Sequence, residues 1–195
     1  MNIAQETRYS SPEEYPELEV NSDIRHEYID GFIIPMTGGT PNHNQITGNI
    51  YVAIHIALKR LPYQGFITDQ RLWIPNRRIH TYPKIIMVVQ TPLVFEEGRI
   101  DTVTNPVMIA EILSNSTKSY DKDEKFAAYR TIPTFQEYIL IDQYRMYVEQ
   151  YCKIGDNKWV FYEFTDAETT LNLASVPCQI VLADIYDKVN FNVEE

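Results

Sequence analysis

Two apolar segments constrain the fold of this chain more than any other feature of its sequence. Residues 85–89 are apolar at consecutive positions, and residues 107–113 are too, apart from Glu111. A strand of this kind is covered on both faces, as in the middle of a sheet that lies between other layers. Apolar residues at helical spacing over residues 46–61 predict a long helix, with Asn42 as its candidate N-cap. The sequence therefore predicts an α/β fold with a mixed sheet.

Turn and helix-terminal residues predict the remaining elements. Asp30-Gly31 is a strong signal for a two-residue hairpin, so the segment from His26 to Met36 is expected to form two paired strands. Before and after the long helix, the sequence predicts a short helix from Ser11-Pro12 and a strand over residues 65–74. A further helix is expected to begin at a capping box of Asp121 and Glu124 and to end at Pro133. A second hairpin over residues 135–151, around Asp142-Gln143, and a strand centred on Trp159 to Phe161 follow it. The last third of the chain is thus expected to be mostly β.

Length and composition favour one domain over residues 1–195. The chain contains 44% hydrophobic and 12% aromatic residues, which is enough for a buried core and excludes disorder as its main description. The N-terminal residues lack the apolar core of a signal peptide, and no segment reaches the roughly 18 apolar residues of a membrane span. We therefore expect a cytoplasmic protein in which Cys152 and Cys178 stay reduced.

The charge of the chain is unevenly distributed. Its formal net charge is −10, from 17 Lys and Arg residues against 27 Asp and Glu residues. Residues 70–95 contain no acidic residue and carry Arg71, Arg77, Arg78 and Lys84. This basic segment could contact phosphate groups, with Arg77 and Arg78 as the candidate nucleic-acid-binding residues. The acidic remainder of the chain would repel a polyanion and slow its approach. The alternative is a basic segment that occurs by chance in a chain of this length.

Glu111 is the residue that points most clearly to chemistry. The sequence has no P-loop, no glycine motif for dinucleotides and no zincin or α/β-hydrolase motif. An ionised carboxylate in an apolar strand is costly unless it is paired, hydrogen-bonded or bound to a metal. Glu111 therefore requires a partner, which makes it a candidate functional residue. The alternatives are a buried ion pair without function or a strand end that reaches water.

Two further charged residues are candidates for the same site. Strand alternation in the first hairpin allows Glu27 to point inward with Glu111, although an exposed position is the alternative. Lys125 lies one turn into the helix predicted after Glu111 and shares a face with Tyr129. The alternative for Lys125 is an ordinary i, i+4 ion pair with Asp121.

These residues and their order resemble a known family. The resemblance rests on Arg25 to Gly31, on Tyr82-Pro83-Lys84 before an apolar strand, on Ala110 to Thr117, and on Asp121 to Tyr129. This pattern resembles the Uma-type restriction endonucleases of the PD-(D/E)XK superfamily, over about residues 10–190. The resemblance implies a restriction-endonuclease-like core, in which helices flank a mixed central β-sheet, with additional β-hairpins in the C-terminal third. It also implies a homodimer and Mg²⁺-dependent hydrolysis of phosphodiester bonds in DNA.

The resemblance assigns site residues one by one. Glu111 matches the metal-binding glutamate, Glu27 matches a further acid near the site, and Lys125 replaces the lysine that normally follows two residues after the glutamate. Lys84 occupies the position of the first metal-binding aspartate, and a protonated lysine cannot ligate Mg²⁺. The implied site is therefore degenerate, with Lys84 in place of the cation and with weak or absent metal binding at Glu27 and Glu111. The alternative is a shifted register in which Lys84 extends into solvent.

Two functions follow from this resemblance. The first is a metal-dependent endonuclease with a degenerate active site. The second is a catalytically inactive homologue that binds nucleic acid or another protein. The Lys84 position and the net charge of −10 favour inactivity, whereas the retention of Glu111, Lys125 and Tyr129 favours a site that is still maintained.

Overall fold

The computed structural model describes residues 8–36, 38–113 and 121–192. Its strands are β1 (Arg8–Tyr9), β2 (His26–Ile29), β3 (Phe32–Pro35), β4 (Tyr63–Ile67), β5 (Arg71–Ile74), β6 (Ile79–Thr81), β7 (Ile86–Gln90), β8 (Thr102–Val103), β9 (Pro106–Leu113), β10 (Glu137–Asp142), β11 (Val148–Gly155), β12 (Lys158–Phe164), β13 (Thr170–Asn172) and β14 (Gln179–Val181). The helices are α1 (Tyr15–Val20), α2 (Pro41–Ala57), α3 (Phe126–Tyr129) and α4 (Leu182–Ile185), together with a 3₁₀ turn at Pro75–Arg77 and a π-helical turn at Asp121–Lys125.

The central sheet has six strands in the order β12-β11-β10-β9-β7-β4. Strands β9 and β10 are parallel, whereas the other neighbours are antiparallel, so the sheet is mixed as predicted. Alternate residues of β7 enter two separate cores. Ile86 and Val88 pack on the face covered by α2, and Met87 and Val89 pack on the opposite face. The prediction that this strand is covered on both sides is confirmed.

A second sheet of six strands has the order β1-β3-β2-β6-β5-β8. Its β2–β3 hairpin turns at Asp30-Gly31, where both residues have positive φ angles of 41° and 103°, as the sequence predicts for a tight hairpin. Leu72 and Ile74 of β5 pack in the same core as Met87 of the central sheet. This contact places the second sheet over one face of the first.

Three predicted elements differ from the structure in the N-terminal half. The segment 65–74 is two strands, because a turn around Thr68 sends β4 to the central sheet and β5 to the second one. The N-cap of α2 is Thr40 instead of Asn42, since the Thr40 hydroxyl accepts a hydrogen bond from the His43 backbone N–H at 3.1 Å. The helix predicted from Ser11-Pro12 begins only at Tyr15, although Ser11 and Glu14 exchange capping hydrogen bonds before it.

Two predictions in the second half also need correction. The helix expected from Asp121 to Pro133 is a π-helical turn followed by only four α-helical residues. The side chain of Asp121, and with it the predicted capping box, lies outside the described part of the chain. The connection between β10 and β11 spans residues 143–147 and is longer than a two-residue turn. Gln143 is buried there, and its side-chain amide is satisfied because it donates to the Leu113 carbonyl and accepts from the Thr40 hydroxyl.

Candidate active site

Glu111 lies two residues before the end of β9 and is fully buried, with 0% of its surface exposed. Its Oε1 atom accepts a hydrogen bond from the Tyr129 hydroxyl at 2.8 Å and lies 3.4 Å from the Lys125 Nζ atom. Its Oε2 atom accepts from the backbone N–H of Lys84 at 2.9 Å. The carboxylate therefore has charged and neutral partners, and the alternative of a strand end open to water is wrong.

Glu27 reaches the same place from the second sheet. Its Oε1 atom lies 3.0 Å from Lys125 Nζ and accepts a short hydrogen bond from the Thr81 hydroxyl. Glu27 is buried, so the alternative of an exposed side chain is wrong. Burial by itself raises the pKa of Glu27, but the Lys125 ammonium, the Thr81 hydroxyl and the Lys84 charge outweigh it and hold the pKa below the ordinary value of 4.5.

Lys125 connects the two acids. It lies at the end of the π-helical turn, and only 3% of its side chain is exposed. Its ammonium is within 4 Å of one oxygen of Glu27 and one oxygen of Glu111. A buried cation shared in this way is compensated, whereas removing it would leave two buried carboxylates without a common partner.

Lys84 precedes β7 and is half-buried. Besides the bond from its backbone N–H to Glu111, its positive charge helps to lower the pKa of Glu27. The pKa of His43, at the N-terminal end of α2, is lowered mainly by burial and further by the Lys84 charge. The positive charge of Lys84 therefore lowers the pKa of both Glu27 and His43.

The charges of this cluster leave little room for a divalent cation. Two lysines, Lys84 and Lys125, face two acids, Glu27 and Glu111, so the formal charges cancel. Mg²⁺ favours carboxylate oxygens that are free to bind it together with several waters. Across residues 8–36, 38–113 and 121–192, no group of three or more His, Cys, Asp or Glu side chains is arranged to hold a metal ion. The two carboxylates that the family resemblance assigns to the metal, Glu27 and Glu111, instead both contact the Lys125 ammonium.

Sequence reasoning missed a second charged cluster beside the first. The register of the central sheet aligns Glu111 with Leu140, Leu140 with Glu149, and Glu149 with Glu163, so these side chains share one face. Glu149 is 2% exposed and forms a short ion pair with Lys122, one turn before Lys125. The spacing of the two lysines was visible in the sequence, but their acidic partners come from strands far apart in the chain.

The structure does not bring Arg77 and Arg78 into this cluster. Both are exposed at the turn between β5 and β6, at the opposite end of β6 from Thr81. Arg78 has a φ angle of 53°, and its Nε atom lies 3.6 Å from an Asp30 carboxylate oxygen. These two arginines form a separate basic surface.

Comparison with known proteins agrees with this fold. A crystal structure described as a putative nuclease belonging to DUF820, from Anabaena variabilis, is similar with a TM-score of 0.74 and 18% identity, covering 91% of this chain and 97% of that one. The chain belongs to the Uma2 family, described as "Putative restriction endonuclease", whose model matches residues 12–184. Part of the family-like motif, from Ser114 to Thr117, lies outside the described residues.

Two relatives come from Synechocystis sp. The protein named Uncharacterized protein sll1609 is 37% identical over 163 residues, which cover 84% of this chain and 92% of that protein. The protein named Uncharacterized protein slr1290 is 28% identical over 181 residues, which cover 93% of each. In the described ranges, no helix is long and apolar enough to span a membrane.

Proposed function

We propose that this chain is a DNA-directed endonuclease homologue that keeps the fold and the acidic site but has lost efficient metal-dependent cleavage. The observation that carries the proposal is the Lys125 ammonium between Glu27 and Glu111, with Lys84 at the position where the family resemblance expects an aspartate. Membership of the Uma2 family supports DNA as the polymer with which the protein interacts.

The charge balance explains why cleavage is lost. Hydrolysis of a phosphodiester requires a positive group that stabilises the charge developing on the phosphate. In this site the negative charges of Glu27 and Glu111 are already offset by Lys125 and Lys84. A divalent cation would have to displace a buried ammonium, and the displaced lysine would lose its partners in a region that excludes water. The acids and lysines of this chain therefore hold one another in place.

Binding to DNA is the role that remains open to such a protein. Arg77 and Arg78 are exposed and adjacent, and they lie within the stretch that contains no acidic residue. With so few basic groups, binding is expected to be weak, and its logarithmic salt slope is expected to be near −0.9 for each phosphate contacted. The net charge of −10 lowers the association rate further.

A nicking assay tests the loss of cleavage. Wild type, Lys84→Asp and Lys84→Asp with Glu111→Gln are incubated with supercoiled and single-stranded DNA in Mg²⁺ or Mn²⁺. Wild type is expected not to nick, whereas Lys84→Asp is expected to gain metal-dependent nicking that is lost again when Glu111 is replaced. Metal-dependent nicking by wild type that disappears in a Glu111→Gln variant would overturn the proposal and identify an active nuclease.

A salt titration of DNA binding tests the retained role. Arg77→Ala with Arg78→Ala is expected to reduce affinity and to make the salt slope shallower. The matched control is Lys59→Ala with Arg60→Ala, an exposed basic pair in the turn just after α2 in which Arg60, like Arg78, has a positive φ angle. Equal losses from both double variants would show that the Arg77–Arg78 surface is not the binding site.

A further inference from the structure

A groove of about 840 Å³ lies between α1 and the segment 95–99, and its lining includes no residue of the Glu27–Glu111 cluster. Its apolar lining includes Trp73 and two residues that remain well exposed, Val20 at 66% and Phe95 at 40%. Trp73 is held in place because its ring stacks on that of His80, with 4.1 Å between the centroids. An aromatic residue with a fixed orientation in an exposed apolar groove is typical of a protein-binding site.

The rim of the groove is acidic. Glu13 and Glu17 line it from the α1 side, and Glu96 and Glu97 line it from the other. Glu96 contacts His80 at 3.0 Å, and Arg99 pairs with Asp101 and Glu96. The carboxylates of Glu13, Glu17 and Glu97 are exposed, and within the described part of the chain no ion pair compensates them. The groove therefore offers uncompensated negative charge around an apolar floor.

We propose that this groove binds a basic, extended segment of a partner protein, which inserts an apolar side chain beside Trp73 and Phe95 and places its lysines or arginines against Glu13, Glu17 and Glu97. Charge complementarity selects this occupant. DNA would be repelled by the rim, and a second copy of this chain carries a net charge of −10 itself. The proposal does not depend on the proposed DNA-binding role, although the two surfaces adjoin: Pro75 lines the groove and begins the turn that carries Arg77.

The probe is a fluorescein-labelled peptide of alternating lysine and tryptophan residues, and fluorescence anisotropy measures its binding to the full chain. Control peptides carry glutamate or serine in place of lysine. The lysine peptide is expected to bind best and to weaken as salt rises. Equal binding of the serine peptide would overturn the proposal, because charge complementarity is what selects the basic occupant. Absence of binding by the lysine peptide would overturn it as well.

Charge-matched variants locate the site. Glu17→Lys with Glu97→Lys changes the rim, whereas Asp156→Lys with Glu168→Lys makes the same change in net charge at exposed positions elsewhere. The first pair is expected to weaken binding about tenfold and the second less than about threefold. Equal weakening would show attraction to the acidic protein in general, and would overturn the groove as the site.

A second matched pair tests the apolar contact. Phe95→Ser is expected to weaken binding about fivefold, whereas Phe161→Ser, on the outer strand β12 at 46% exposure, is expected to leave it unchanged. Thermal melting confirms that each variant is folded. Light scattering detects the other occupant: self-association that Phe95→Ser abolishes, without peptide binding, would assign the groove to a second copy and overturn the proposal.

Discussion

Glu111 and Glu137 lie on neighbouring strands of the central sheet, and both are 0% exposed. Their side chains point to opposite faces, because Glu111 is aligned with Leu140 and residues 137 and 140 are three positions apart on one strand. The partners on the two faces are of different kinds. Glu111 and its neighbour Glu27 share a lysine, whereas Glu137 accepts hydrogen bonds from neutral donors, namely a side-chain amide, a hydroxyl and two backbone N–H groups.

Glu137 is held by groups that belong to the local structure. It accepts hydrogen bonds from Gln150 at 2.5 Å, from the backbone N–H groups of Ala174 and Ser175 at 3.0 and 2.9 Å, and from the Ser175 hydroxyl at 2.6 Å. These bonds fasten the segment after β13 to the sheet. Because Glu137 is hydrogen-bonded to backbone amides of another segment, its role is structural.

The contrast teaches that burial alone does not identify a functional acid. Both glutamates are equally buried, but the partners of Glu111 include a long flexible cation brought in by a separate turn of the chain. Such a cation can be exchanged by a single substitution, whereas two backbone N–H groups cannot. The chemistry of the partner therefore distinguishes the candidate active site from the structural site.

The largest effect is expected for Lys125→Met. Glu27 and Glu111 would lose their shared cation, and the free energy of unfolding is expected to fall by about 3–5 kcal/mol. Gln150→Met is the matched control at the neutral site, where Glu137 keeps three donors and the expected loss is about 1–3 kcal/mol. Urea unfolding measures both. The contrast between the two sites would be wrong if the Gln150 variant lost as much stability as the Lys125 variant.

The second prediction concerns Lys84→Asp. Without metal the variant is expected to melt below wild type, because three carboxylates would face one remaining lysine. Mg²⁺ or Mn²⁺ is expected to restore about 2.7 kcal/mol at a hundredfold excess over its dissociation constant. Lys84→Met removes the ammonium without adding a ligand and should show no response to metal. Stabilisation of wild type by metal, with none for Lys84→Asp, would contradict the placement of Lys84 at the aspartate position.

Tyr129→Phe and Ser175→Ala compare one hydroxyl donor at each site. The Tyr129 hydroxyl bonds to Glu111 at 2.8 Å, and its loss is expected to cost about 1.5–3 kcal/mol, as for a hydrogen bond to a charged group. The loss is expected to be nearer 1 kcal/mol for Ser175→Ala, since backbone N–H groups still satisfy Glu137. Denaturant unfolding measures the free energy of unfolding of both variants. An equal loss in the two variants would contradict this prediction.

The smallest effect is expected in the pH dependence of stability. The folded-state pKa of Glu27 lies below 4.5: burial raises it, but Lys125, Thr81 and Lys84 lower it by more. A carboxyl group of this kind contributes stability above pH 4.5 that is lost as the pH falls through its folded-state pKa. Glu27→Gln is expected to flatten this acidic limb, whereas the exposed control Glu17→Gln is not. Thermal melting between pH 3 and pH 7 measures both, and identical acidic limbs would show that Glu27 has no such role.

Several elements of the fold could be predicted from local sequence patterns. Consecutive apolar residues in β7 and β9 predicted strands covered on both faces, and Asp30-Gly31 predicted a tight hairpin, because each depends on residues close together in the chain. The cost of burying Glu111 predicted a partner for it. The segment 65–74 shows the limit of such patterns. Apolar spacing reports that residues are buried, but it does not report that β4 and β5 enter different sheets.

The sequence by itself determined which residues must be buried and that a buried carboxylate needs compensation. Only the tertiary structure decided which groups provide it. Thr81 reaches Glu27 because β2 pairs with β6, and Lys122 reaches Glu149 across a separation of 27 residues. The physical reason is that hydrogen bonds and ion pairs act over a few ångströms in space. Which groups come that close depends on strand order and register, and these are set by the packing of the whole core.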